Sequence, residues 1–117
     1  MEYKGRKIGF KRTVGAMSDL TKIAPDKNIE RMGELFGGDL STTIESGAQF
    51  LSILNKWYEK SLVFTEEGYK PDPLPPEWFL NLDMEDYTEL INEAMKQFEL
   101  DDKQTVEAVD FKGKKNS

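Results

Sequence analysis

The stretch Leu40-Ser41-Thr42-Thr43-Ile44-Glu45-Ser46-Gly47-Ala48-Gln49-Phe50-Leu51-Ser52-Ile53-Leu54-Asn55-Lys56-Trp57-Tyr58-Glu59-Lys60-Ser61-Leu62 decides how this chain folds. Leu40, Ile44, Ala48, Leu51, Leu54, Tyr58 and Leu62 recur at intervals of three and four, the period of one face of an α-helix. Phe50, Ile53 and Trp57 widen that stripe. So broad an apolar face predicts a helix that touches more than one neighbour, or a partner chain. Gly47 costs about 1 kcal/mol relative to Ala in a helix interior, which points to a close crossing at that position. Asp39 or Ser41 supplies the N-cap.

The flanking segments read as shorter helices gathered around this one. Thr13 caps a helix over 14–24 with apolar positions Val14, Met17, Leu20, Ile23 and Ala24, and Pro25 ends it. Asn28 caps a second over 29–36, with Ile29, Met32, Leu35 and Phe36 as its stripe. Gly37-Gly38 stops it, in the left-handed geometry that residues lacking a Cβ favour. Four of the five prolines fall in 65–76, which makes that stretch an irregular connector. Pro76 starts a short segment over 77–82 carrying Trp78, Phe79 and Leu80. Asp83 caps a last helix over 84–100 whose stripe is Met84, Tyr87, Ile91, Ala94, Met95 and Phe98, with Leu90 on the flank. At the other end, Gly5 sits between two short candidate strands, with Ile8 and Phe10 on one face of the second. The expected fold is mainly α: about four helices over 1–100 with a short N-terminal β-hairpin. Residues 101–117 read as a flexible charged tail.

Composition narrows the chemistry. Among 117 residues there is no Cys and no His, so disulfides, thiolate nucleophiles and the commonest metal ligand are all missing. No segment approaches the run of about 20 apolar residues that a membrane-spanning helix needs. The start, Met1-Glu2-Tyr3-Lys4-Gly5, is charged and unlike a signal peptide, and the expected location is the cytoplasm. Residues 1–38 carry 8 basic and 5 acidic groups, whereas 39–111 carry 5 basic and 17 acidic ones. An acidic body repels phosphate, which argues against nucleic-acid binding. The basic start suits a hairpin whose Lys and Arg discourage edge-to-edge pairing.

No constellation of catalytic or cofactor-binding residues emerges, and no cofactor or metal is expected. Glu66-Glu67, Asp83, Glu85-Asp86 and Asp101-Asp102 lack the spacing of a calcium loop and read as caps and solvated faces. Gly33, Gly37 and Gly38 follow no strand and precede no Gly-Lys-Ser/Thr, so they make no phosphate loop. The aromatic pairs Trp57-Tyr58 and Trp78-Phe79 stand out. Adjacent rings on a helix point about 100° apart and rarely reach the same core. Either one member of each pair anchors a partner at the surface, or the Pro-rich connector wraps them. On the first reading Trp57, Tyr58, Trp78 and Phe79 are the candidate partner-binding residues.

The start, Ile8-Gly9-Phe10-Lys11-Arg12-Thr13-Val14-Gly15-Ala16-Met17-Ser18-Asp19-Leu20, resembles the small tail assembly chaperones of long-tailed phages and prophages. The similarity spans roughly 5–100: a short β element, Thr-x-Gly-Ala leading into a helix, then further helices and an acidic body. It implies a non-enzymatic protein of the bacterial cytoplasm that binds the tape-measure protein and keeps it soluble. It also implies a longer product, made by programmed −1 frameshifting, that recruits tail-tube subunits. Lys114-Lys115-Asn116 is what a slippery A-AAA-AAC heptamer within an A-rich run encodes. A small acidic adaptor that binds the helix of some other partner is the alternative, and a carboxylate-dependent hydrolase using Mg²⁺ is a third. Unsatisfied apolar faces leave room for self-association.

Overall fold

The computed structural model describes residues 2–98. It opens on a two-stranded antiparallel hairpin, β1 (Glu2–Tyr3) and β2 (Arg6–Lys7), with Tyr3 opposite Arg6. Lys4 and Gly5 both have positive φ, the geometry of the tight turn that matches strand twist. The next residues form no second stretch of ladder. Ile8 and Phe10 instead enter the core as a segment laid on the long helix, where Lys11 N–H donates to the Leu54 carbonyl at 3.2 Å.

Helix α1 spans Val14–Ile23, and Thr13 accepts from the Ala16 N–H, as its cap position requires. Its buried face is Ala16 and Leu20, with Met17 and Ile23 packed at the edge. Val14, expected inside, is 89% exposed. At the first helical position its side chain stands in solvent rather than in the core.

Asn28 accepts from Glu30 N–H and opens the short helix expected over Ile29–Phe36, which takes the 3₁₀ form. Three residues per turn line up Ile29, Met32 and Leu35, and a Gly at 33 weakens the competing α form. None of its residues is fully buried; Phe36 rests edge-on against Phe50 with ring centres 5.7 Å apart. Gly37 follows with φ −106°, so the stop does not use the left-handed geometry anticipated.

Helix α2, Leu40–Ser61, is the spine. Asp39 caps it by accepting from Thr42 N–H at 2.8 Å, and that bond holds its carboxyl below the usual carboxylate range. Over 22 residues it runs about 33 Å and contacts α1, the 3₁₀ segment and the short helix α3, Pro76–Leu80. Buried along it are Ala48, Phe50, Leu51 and Leu54. A 3₁₀ turn, Leu62–Phe64, finishes it.

The last helix, α4, is described over 84–98. Leu90, expected on the flank, is fully buried between Tyr87 and Ala94, while Met84 and Met95 lie at the surface. The stripe is therefore rotated toward 87, 90 and 94. The architecture is the mainly α domain with an N-terminal hairpin that the pattern predicts. Residues 101–117, expected to form a tail, lie outside the described residues.

Candidate partner-binding surface

The four aromatic candidates are not gathered into one patch. Trp57 lies on α1: a Cβ on Gly15 would overlap its indole, and its Nε1–H donates to Asp19 Oδ2 at 2.8 Å. Lys56 and Lys60 sit over the ring, with Nζ 5.2 and 4.8 Å from its centre. Asp19 is held below the ordinary carboxylate range, first by the Lys56 ammonium and then by the Trp57 N–H. Tyr58 turns to the other side and covers Gly9 in the same manner. Both rings are thus half-buried on glycines of the N-terminal segment.

Trp78 packs edge-on against Tyr3 of the hairpin, with ring centres 5.5 Å apart, and borders a shallow cleft with Lys4, Arg6 and Asn81. Phe79 is fully buried beneath it, against Phe10. A sealed ring cannot touch a partner, so Phe79 drops out as a contact residue. The helical turn between neighbours sends one ring out and the other into the core.

Sequence reasoning missed a polar rail on α2. Ser52, Asn55 and Glu59 follow at intervals of three and four, inside the apolar face. Asn55, fully buried, donates to the Gly9 carbonyl at 3.0 Å and accepts from Leu74 N–H at 2.9 Å, bridging the N-terminal segment to the connector. The Ser52 hydroxyl donates to the Leu74 carbonyl at 2.7 Å. Glu59, 2% exposed, accepts from the Tyr69 hydroxyl and from Asp72 N–H, and pairs with Arg6 at 3.7 Å. Arg6 in turn donates to Asp72 Oδ2 at 2.8 Å. A buried carboxylate is tolerated only when satisfied in this way. The hydrogen bond to Glu59, with burial second, pushes the Tyr69 phenol up to about 12. The rail is structural, and the spacing of three polar residues inside an apolar stripe was its signal.

Val63 and Phe64 stand in solvent just past the C-terminal end of α2, and a wider apolar surface with a groove lies at its other end. Leu40 is 70% exposed, Met84 58% and Leu80 45%. Leu40 and Met84 border an apolar groove of about 210 Å³ between α2 and α4, floored by Phe36, Ile44, Gly47, Tyr87 and Ile91, and Leu80 lines an adjoining hollow beside Leu40 and Ile44. Gly47 is the close crossing the sequence implied. A Cβ there would strike the Tyr87 hydroxyl, which reaches past it to donate to the Ile44 carbonyl at 2.7 Å. Burial raises the Tyr87 pKa, so this donor keeps its proton. With its hydroxyl so occupied, Tyr87 offers the groove mainly its ring.

Charge around this groove has one sign. Glu45 flanks it on the Leu80 side, and Glu85 and Glu89 flank Met84 on the other. Residues 39–55 and 71–95 together hold nine acidic residues and no Lys or Arg. Among the described residues none of these three glutamates pairs with a cation, and no cluster of acids is close enough to hold a metal ion. The acids needed for a Mg²⁺ hydrolase therefore do not converge there. No described helix is long and apolar enough to cross a membrane.

A scan against protein-family models, a search of curated proteins and a search of solved structures each found no match to this chain.

Proposed function

We propose that this chain is a non-enzymatic tail assembly chaperone of a long-tailed phage or prophage. It works in the bacterial cytoplasm by covering apolar helix surface of the tape-measure protein until the tail tube encloses it. The observation that carries this reading is the groove bordered by Leu40 and Met84, with Leu80 in the hollow beside it, three large apolar side chains left in solvent by a small acidic domain. An apolar groove between helices is a seat for another helix. The acidic charge keeps a loaded complex dispersed. The resemblance over Ile8–Leu20 supports the same role, and in that role a longer frameshifted product brings tail-tube subunits to the complex.

Co-expression with the tape-measure protein encoded beside it tests the reading. The tape-measure protein should move into the soluble fraction with this chain and return to the pellet with Leu40→Asp/Met84→Asp. Equal solubility with and without the chain overturns the assignment.

A further inference from the structure

We infer that the groove between α2 and α4 takes a two-turn amphipathic helix whose apolar stripe is flanked by Lys and Arg. This rests on the reading above that the groove receives another chain, and it defines which kind of segment that chain must offer.

The occupant is a helix because of what the groove lacks. Its two long walls are α-helices, whose backbone groups bond internally, and the Tyr87 hydroxyl is spent on Ile44. Thr43 and Thr88 are the remaining polar side chains of the lining. An extended or irregular segment laid there would leave its own N–H and C=O groups without partners. A helix satisfies its backbone internally and presents only side chains. The walls, Leu40 to Gly47 and 84–91, each run about 10 Å, which is two turns with anchors at i, i+3, i+4 and i+7.

The occupant is basic at its flanks because the rim is acidic. Glu45 stands on one side, Glu85 and Glu89 on the other, all exposed and unpaired among the described residues. A Lys- or Arg-flanked stripe neutralises them, whereas a second copy docked through the same face would set glutamates against glutamates. The chain's own basic segment is a poor substitute. Lys4, Arg6 and Lys7 of its early cations lie in the hairpin, and α1 exposes a single large apolar residue, Val14.

The test uses the full chain and two labelled helical peptides followed by fluorescence anisotropy. Both carry the same Leu/Ile stripe; one is flanked by Lys and the other by Glu. At low salt the Lys-flanked peptide should bind about tenfold more tightly, the combined effect of a few exposed ion pairs. The gap should shrink to about threefold or less at 1 M salt, where charges are screened within about 3 Å. Glu45→Gln/Glu85→Gln/Glu89→Gln should narrow it at low salt. Leu40→Ser/Met84→Ser, with an unchanged circular dichroism spectrum, should weaken the Lys-flanked peptide at least tenfold.

Equal binding of the two peptides overturns the basic-flank assignment. Binding that survives loss of either the peptide's stripe or Leu40 and Met84 reduces the effect to bulk charge attraction and overturns the groove. Absence of binding by both peptides also overturns it, as does a dimer in sedimentation that Leu40→Ser abolishes. Tape-measure solubilisation without peptide binding removes only this inference. Peptide binding without tape-measure solubilisation removes only the tail-assembly role.

Discussion

The two halves of α2 are used in opposite ways. From Leu51 to Ser61 the helix spends its surface on its own chain: leucines inward, Trp57 and Tyr58 over glycines, and the Ser52-Asn55-Glu59 rail on the connector and hairpin. From Leu40 to Gly47 it leaves Leu40 in solvent and Ile44 partly uncovered. A broad apolar face can serve internal packing at one end and recognition at the other, and the covering segments decide which. The hairpin and connector reach only the second half. The first half meets α4, Phe36 and Leu80, with the groove left open between it and α4.

That contrast can be broken most forcefully at Glu59. Glu59→Ala strips two donors and an arginine of their shared acceptor in a buried place, and should cost about 2–3 kcal/mol in urea unfolding. A loss below about 0.5 kcal/mol, the range of ordinary surface changes, would mean the closed half is not held by its rail. Gly15→Ala comes next. The added methyl must displace an indole held by Asp19 and two lysines, and overpacking of this kind costs about 1–2 kcal/mol. Gly15 is the second residue of α1, where Ala gains less than the interior value of about 1 kcal/mol, so a lowered melting temperature is expected and a raised one would contradict the packing.

Titration sharpens the same comparison. Tyr69 should ionise near 12, and Glu59→Gln should return it toward its ordinary value while leaving Tyr87 late. The folded pKa lies above the unfolded value of about 10, so this bond's stabilisation is complete below pH 10 and fades as pH rises toward 12. Asp19 has the opposite sign. Its folded pKa is lowered, so its contribution is present above about pH 3.9 and is lost as pH falls through the folded value. Absorbance of the phenolates and carboxyl chemical shifts read the two ends. The smallest effect belongs to the open half: Leu40→Gln should shift stability by no more than about 0.5 kcal/mol, since the side chain is already in water. A larger loss would show that Leu40 is covered after all.

Much of this fold was legible in the chain itself. The caps at Thr13, Asn28 and Asp39, the long helix between Gly38 and Leu62, the irregular prolines and the close crossing at Gly47 follow from local chemistry. Such features depend on a few neighbouring residues and the period of one element. The partner-facing surface was less legible. Phe79 was read as a contact and is core, and Leu40 and Met84, read as members of apolar stripes, lie at the surface. Periodicity finds an apolar face but does not say what covers it.

The amino-acid order alone determined the helices, their ends and the absence of Cys and His chemistry, because each is set by nearby residues or by composition. Tertiary structure alone decided that Trp57 and Tyr58 lie on Gly15 and Gly9, that Glu59 is a buried hub, and that the uncovered stripe is at the start of α2. Those outcomes depend on how segments distant in the chain meet, and one helix face looks the same in sequence whether a connector covers it or water does.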